Sequence, residues 1–346
     1  MSSPAAVSPI AVSAIGRARR FRLGGGFLPI WVATVVLFAV SPLLAHDSLS
    51  SSAVVSMLPF AAILAIAAAG QTLVIQQGGL DFSVPGAISL AGVLVTTITG
   101  GADGKLPLAL AVIFGVALLT GLLNSIAVTR LGITPLVATI GVNAILIGTV
   151  LEVSGGSIAS EAPPVLTRFA GGKLLGIPTT VFVAVGLLAV LAILLRTTVW
   201  GRRFDVSGAN PRAARVAGVA VGRYQLGAYV GASLLYAVAG VLLAGFLGTP
   251  SLFAGDPYLL STIAVVVLGG TALGGGRGSV MATGVGALFL SQLQQVVLAM
   301  GAANAVQNLI QGAIIALSMG LRTVSWRRRW RRTPSSSHTQ PAGGEA

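Results

Sequence analysis

The sequence predicts an all-α polytopic membrane protein of about ten transmembrane helices, with both termini on the cytoplasmic side. Three observations predict it. Of 346 residues only 8% are charged and 55% are hydrophobic, where a soluble domain carries roughly 25% charged residues. Apolar runs of about 20 residues, each able to cross ~30 Å of hydrocarbon, recur along the chain. The Lys and Arg residues between the runs alternate between abundant and scarce, as the positive-inside bias requires.

The runs lie near 27–45, 53–75, 84–100, 106–129, 133–153, 179–196, 224–248, 259–275, 279–300 and 304–321. Gly, Pro, Ser and charge mark the breaks, as in "HDSLSSS", "QQGGLDFS", "GADGK" and "TPSLFAGDP". Runs 84–100 and 259–275 are short or Gly-rich, which fits a re-entrant or broken helix. The long leading segment before 27–45 favours an uncleaved first span over a signal peptide. The sequence thus predicts a cytoplasmic basic tail 1–26, a membrane domain 27–321 with a cytoplasmic loop 197–223, and a cytoplasmic tail 322–346 that is basic and then disordered.

Starting from a cytoplasmic N-terminus, 18 of the 21 Lys and Arg fall inside, and only Lys105, Arg168 and Lys173 fall outside. A miscount of one span in the middle would scramble that segregation. It also accounts for the net charge of +13 without nucleic acid. Anionic lipid headgroups lie beside the "RTVSWRRRWRR" tail, and Trp326 and Trp330 suit an interfacial anchor.

The runs hold essentially no ionisable residue; Glu152 lies at an edge and Asp81 in a break. That disfavours a proton relay and an intramembrane enzyme, which need titratable groups at depth. The chain has no Cys, and His46 and His338 both lie outside the runs. A phosphate loop of the G-x-x-x-x-G-K-[ST] type is absent from the sequence. What the runs carry instead is amides: Gln71, Gln76, Asn124, Asn143, Gln292, Gln294, Gln295, Asn304, Gln307, Asn308 and Gln311. Neutral donors and acceptors suit passage of a neutral, hydroxyl-rich solute, and they equally join helices across a bundle. The candidate path set is Gln71, Gln76, Asp81, Ser83, Asn124, Asn143, Gln292, Gln295 and Asn308.

Within the 197–223 loop, "GANPRAARVAG" reads as a small helix with both ends marked. Asn210 is the N-cap, Pro211 the first helical residue, and Gly218 the left-handed stop. Two turns are too short to stand alone in water. Small apolar residues beside Arg212 and Arg215 point to a docking element in preference to a lipid-surface loop.

Four ordered segments carry a resemblance. They are "GQTLVIQQGGLDFSVPGAISLAG" at 70–92, "RLGITPLVATIGVNAILIG" at 130–148, "GRRFDVSGANPRAARVAGVAVGRYQLGAYVGASLLYAVAGVLLAG" from 201, and "VLGGTALGGGRGSVMATGVGAL" at 267–288. Each resembles an element of the sugar-type ABC importer permeases, the membrane subunits of ribose, xylose and galactose uptake systems. The resemblance implies that residues 208–218 form the coupling helix of an ABC importer permease fold, with Gly208, Asn210, Ala213, Ala214, Arg215 and Gly218 matching the motif. It further implies a separate ATPase subunit that binds the ATP, an extracytoplasmic sugar-binding protein, a second permease chain of the same or similar sequence, no cofactor in the chain itself, and a place in the bacterial cytoplasmic membrane. Pro85 stands where the family usually has Gly, and Gln76–Gln77 precede the Gly pair where a smaller residue is common. The Gly78–Gly79 and Gly269–Gly270 loops, each followed by a Ser, read either as a trace of a duplicated half or as two independent tight turns.

The charge segregation sets a test of topology. A reporter active only in the cytoplasm is expected to work when fused after Arg203 or Arg332 and to be silent after Lys173. Activity after Lys173 would break the ten-span arrangement.

Overall fold

The computed structural model describes residues 27–157, 160–301, 305–306, 308–313 and 316. Both tails, with Trp326, Trp330 and His338, lie outside the described residues, as do Asn304, Gln307 and half of the 304–321 run. Hydrocarbon offers no partner for a backbone N–H or C=O, so the apolar runs fold as helices that satisfy these groups internally. The order is α1 (Leu28–Leu44), α2 (Ser51–Gln76), α3 (Val84–Thr99), α4 (Leu106–Thr129), α5 (Pro135–Ser154), α6 (Pro164–Ala170), α7 (Thr179–Thr197), α8 (Val199–Ala209), α9 (Pro211–Val216), α10 (Val221–Leu247), α11 (Tyr258–Leu268) and α12 (Val280–Ala299). A two-stranded antiparallel hairpin, β1 (Lys173–Leu174) and β2 (Ile177–Pro178), precedes α7.

Six helices among the described residues are long and apolar enough to span a membrane: α2, α4 with the 3₁₀ turn before it, α5, α7, α10 and α12. Three are shorter: α1, α3 and α11. The 259–275 run does not form one span. Its helix stops at Leu268 after 11 residues, about 16 Å at 1.5 Å per residue, or roughly half the hydrocarbon thickness. Gly269–Gly270 and Gly274–Gly276 follow, with positive φ at Gly270, Gly275 and Gly276, so the chain leaves the helical region there. Non-helical backbone at such a depth is tolerated where protein covers it. The loop 197–223 holds α8 as well as the expected small helix.

The centre is α2 packed against α10 and α12, with α10 also against α3 and α4. Every residue of α2 from Ala61 to Gln76 is buried, as expected of a helix that is apolar all round. Lipid tails are as apolar as Leu, so dispersion at close range must hold the helices together. Small residues permit that range. A methyl group added at Gly121 of α4 would come within 2.5 Å of Val230 Cα on α10, and one at Gly70 within 3.0 Å of the Ala232 carbonyl. Outward faces of α1, α4, α5 and α7 leave large apolar side chains exposed, among them Val35, Leu119, Ile145 and Val185.

Loops 77–83, 130–134, 198–220 and 269–279 gather at one end of the bundle, and loops 100–105 and 155–178 at the other; segment 248–257 starts at that second end and turns inward until Gly255 meets Pro85 and Ser89 of α3. Of the eleven described Lys and Arg, eight lie at the first end and three at the second. The second end is tied by a hydrogen bond from the Ala162 N–H to the Gly248 carbonyl (2.8 Å) and from the Val165 N–H to Asp103 Oδ1 (2.8 Å).

Replacing Gly121 with Leu forces α4 off α10. Overpacking in a dense contact costs about 1–3 kcal/mol. The variant is expected to melt at lower temperature in mild detergent, while a Leu at Gly115, which faces open space, leaves the melting curve unchanged.

Candidate functional site

The loop between α7 and α10 forms a compact surface feature. The Thr198 hydroxyl caps α8, accepting from the Gly201 N–H at 3.0 Å. Trp200 stacks on Phe204 with ring centroids 5.0 Å apart, and Phe204 is fully buried, so α8 lies anchored along the bundle end. At Asn210 the backbone turns extended and its side chain accepts the Ala213 N–H at 3.0 Å. Helix α9 then runs to Val216, and Gly218 takes a φ of +76°. Both end signals read from the sequence therefore act where expected.

The faces of α9 differ from the expectation in one respect. Arg212, Ala213, Arg215, Val216 and Ala217 are exposed, but Ala214 is fully buried against its own chain. Gly208 is also turned inward, and a methyl group there would overlap the Gln76 carbonyl. These two small residues allow the segment to lie close to the bundle; they do not open a surface to a partner. The outward surface is Arg212, Ala213, Arg215, Val216 and Ala217, flanked by the exposed Arg202, Arg203, Arg223 and Arg277. Helix α8 was missed by sequence reasoning; its signal was the aromatic and small residues at 200, 204 and 207–208, one face of a helix.

The expected path residues divide by burial. Gln71, Gln76, Asp81, Ser83, Asn124 and Gln292 are buried inside the bundle, Asn143 and Gln295 are half-buried, and Asn308 is exposed. Most of them bind other helices. Tyr236 Oη donates to Gln71 Oε1 (2.9 Å), and Gln292 Nε2 donates to Ser41 Oγ (3.0 Å). Asn143 Oδ1 accepts the Gly86 N–H (2.9 Å), an orphan donor in the first turn of α3. Asp81 caps the approach to α3: its Oδ1 accepts from Ser83 Oγ (2.6 Å) and the Ser83 N–H (2.9 Å), and Asn124 Nδ2 donates to Ser83 Oγ (3.0 Å). Sequence reasoning placed Asp81, Ser83 and Asn124 in the path set; the structure joins them in one hydrogen-bonded chain from α3 to α4. The space enclosed by α3, α4, α5 and α10, beside Ser233, measures ≈ 10 Å³, room for about one water.

Comparison with known proteins bears on a bundle of this kind. Residues 53–319 match the family described as "Branched-chain amino acid transport system / permease component". The chain belongs to this permease family. It is similar to the ribose import permease protein of Bacillus subtilis (strain 168), 32% identical over 300 residues, covering 85% of this chain and 91% of that one. The galactofuranose transporter permease protein of Escherichia coli (strain K12) is 33% identical over 306 residues, covering 86% and 89%. An autoinducer 2 import system permease protein of Enterobacter sp. (strain 638) is 29% identical over 322 residues, covering 90% and 98%. No solved structure matches the chain. The family and the apolar helices together make this a multi-pass protein of the inner membrane.

The Asn143 bond is one of the links that hold α3 to α5, beside the one from the Phe82 N–H to Thr139 Oγ1 (2.9 Å). Asn143→Leu leaves the Gly86 N–H without its partner, which costs about 1–3 kcal/mol for a buried donor. The variant is expected to lower the melting temperature of the purified protein, and an unchanged melting curve would assign Asn143 to the solute instead.

Proposed function

We propose that the chain is the transmembrane permease subunit of an ATP-driven, binding-protein-dependent importer for a monosaccharide of the ribose or galactose kind. The observation that carries this reading is the capped helix α9 with its exposed basic and small-apolar surface, in a chain similar to ribose and galactofuranose permeases. The ATP-hydrolysing subunit docks there, and Asn210, Ala213, Arg215 and Gly218 form or shape the contact. Eight of eleven described basic residues share that end, so by the positive-inside bias it is cytoplasmic. The opposite end, with 155–178 and the start of 248–257, receives the sugar-binding protein.

Among the described residues the buried amides hold helices together, and the space beside Ser233 has room for about one water. The solute therefore passes between two permease chains, along faces such as that of α5, where Gly141 and Gly148 have open space before them. Chemistry at the reacting phosphate belongs to the ATPase subunit, and this chain transmits motion.

Arg215→Glu reverses an exposed charge, and Ala213→Trp adds bulk to the outward face of α9. Both variants are expected to insert and fold normally, to release the ATPase subunit on purification, and to take up labelled ribose or galactose at least tenfold more slowly in vesicles containing the binding protein. Ala214→Trp, by contrast, is expected to lower the yield of folded permease, because its side chain points inward. Full uptake by the Arg215 and Ala213 variants would reduce the segment to a solvated basic loop, and uptake of leucine in place of either sugar would move the substrate class.

A further inference from the structure

The segment leading into α9 is held by more than the close approach at Gly208. Gln77, the residue after the last of α2, donates from Nε2 to the Phe204 carbonyl at 2.9 Å. Its Oε1 accepts from Ser207 Oγ at 2.8 Å. Both side chains are buried, so neither bond competes with water. One residue earlier, the Gln76 carbonyl accepts the Gly276 N–H at 2.7 Å. Gly275 and Gly276 take φ near +90° and +83°, and a methyl group on either would press on Gly208 O or Ala209 Cα at 2.6 Å. Three stretches remote in sequence, 76–78, 204–209 and 275–278, thus meet in one dry knot. The last turn of α8 in that knot directly precedes the cap of α9.

We infer that Gln77 is the positioning residue of a rigid joint that transmits displacement of α9 to α2 and, through the 275–278 loop, to α12. The inference rests on the docking role of α9. Its physical ground is the choice of bonds. A helix merely lying against the bundle would be held by dispersion, which resists separation and tolerates sliding. The Gln77 amide instead fixes α8 at two points, one a carbonyl and one a hydroxyl, on the same turn. It therefore opposes rotation as well as translation. Pulling on α9 moves the end of α2, and the Gly276 bond carries the motion to the loop in front of α12. Because α2 is buried along its length from Ala61, movement at its end has nowhere to dissipate short of the bundle core.

The test uses the assembled importer with binding protein, ATPase subunit and either ribose or galactose. Gln77→Met keeps the length and removes both bonds. It is expected to retain the ATPase subunit and its basal hydrolysis, and to lose the sugar-stimulated increment, with uptake per ATP falling roughly thirtyfold for two bonds near 1 kcal/mol each. Ser207→Ala removes one bond and is expected to lose less. The double variant is expected to be no worse than Gln77→Met alone, since both changes break the same joint. A merely structural role would lower the amount of folded protein and leave the ratio of stimulated to basal hydrolysis unchanged. That ratio, unchanged in Gln77→Met, overturns the inference. If Gln77→Met does not assemble, Ser207→Ala decides alone: full coupling overturns, partial coupling supports. Loss of the ATPase subunit from the unaltered permease would instead sink the docking reading itself.

Discussion

The contact between α2 and α10 governs the rest of the structure. Both helices are apolar on all sides, and hydrocarbon gives no hydrophobic incentive for two such helices to leave lipid for each other. What favours the pair is the density of atoms at short range, which falls off steeply with a gap of half an ångström. Gly70 lets Tyr236 and the Ala232 backbone lie against α2, and the Leu73 side chain reaches Gly231. One polar link, Tyr236 to Gln71, then sets the register of two helices that could otherwise slide. Helices α3, α4 and α12 assemble onto this pair, and their spare apolar surface is left to the lipid.

A consequence concerns the amides. Set in a chain with few charges, Gln71, Asn124, Asn143 and Gln292 look like the lining of a polar passage. In the fold they are the fasteners, each making a bond that a wholly apolar interface cannot specify. A single Asn or Gln in a membrane helix has no way to signal from its neighbours in sequence which helix it will meet. That partner is decided across tens to hundreds of residues, as between Gln292 and Ser41. On the proposed reading, the polar surface open to a solute comes from apposing two copies.

At the loop end, the same economy of space appears. Gly208, Gly275 and Gly276 are small because backbones cross there, and α9 stands outward because Ala214 is tucked inward. The motif residues of this segment thus serve two different ends. Gly208 and Ala214 fit the segment to its own bundle. Ala213 and Arg215 face away from it, where the ATPase subunit would sit. A motif read as one surface is, in three dimensions, the two sides of one thin layer.

Composition and the order of apolar runs and charges were enough to determine the class, most helix spans to within a few residues, and the segregation of basic residues to one end. Those follow from local physics: a backbone in oil must be helical, and charge cannot be. The cap at Asn210 and the stop at Gly218 were equally legible, because capping is decided within a turn. The break in the 259–275 run was legible in its glycines, but its place at Leu268 was not, since Gly269 is compatible with helix or loop until the α12 backbone at Ala282 and Thr283 closes on it. Nor could sequence say which way Ala214 or Asn143 points. Side-chain direction within a membrane bundle is settled by which helix lies a few ångströms away, and that is a property of the assembled fold.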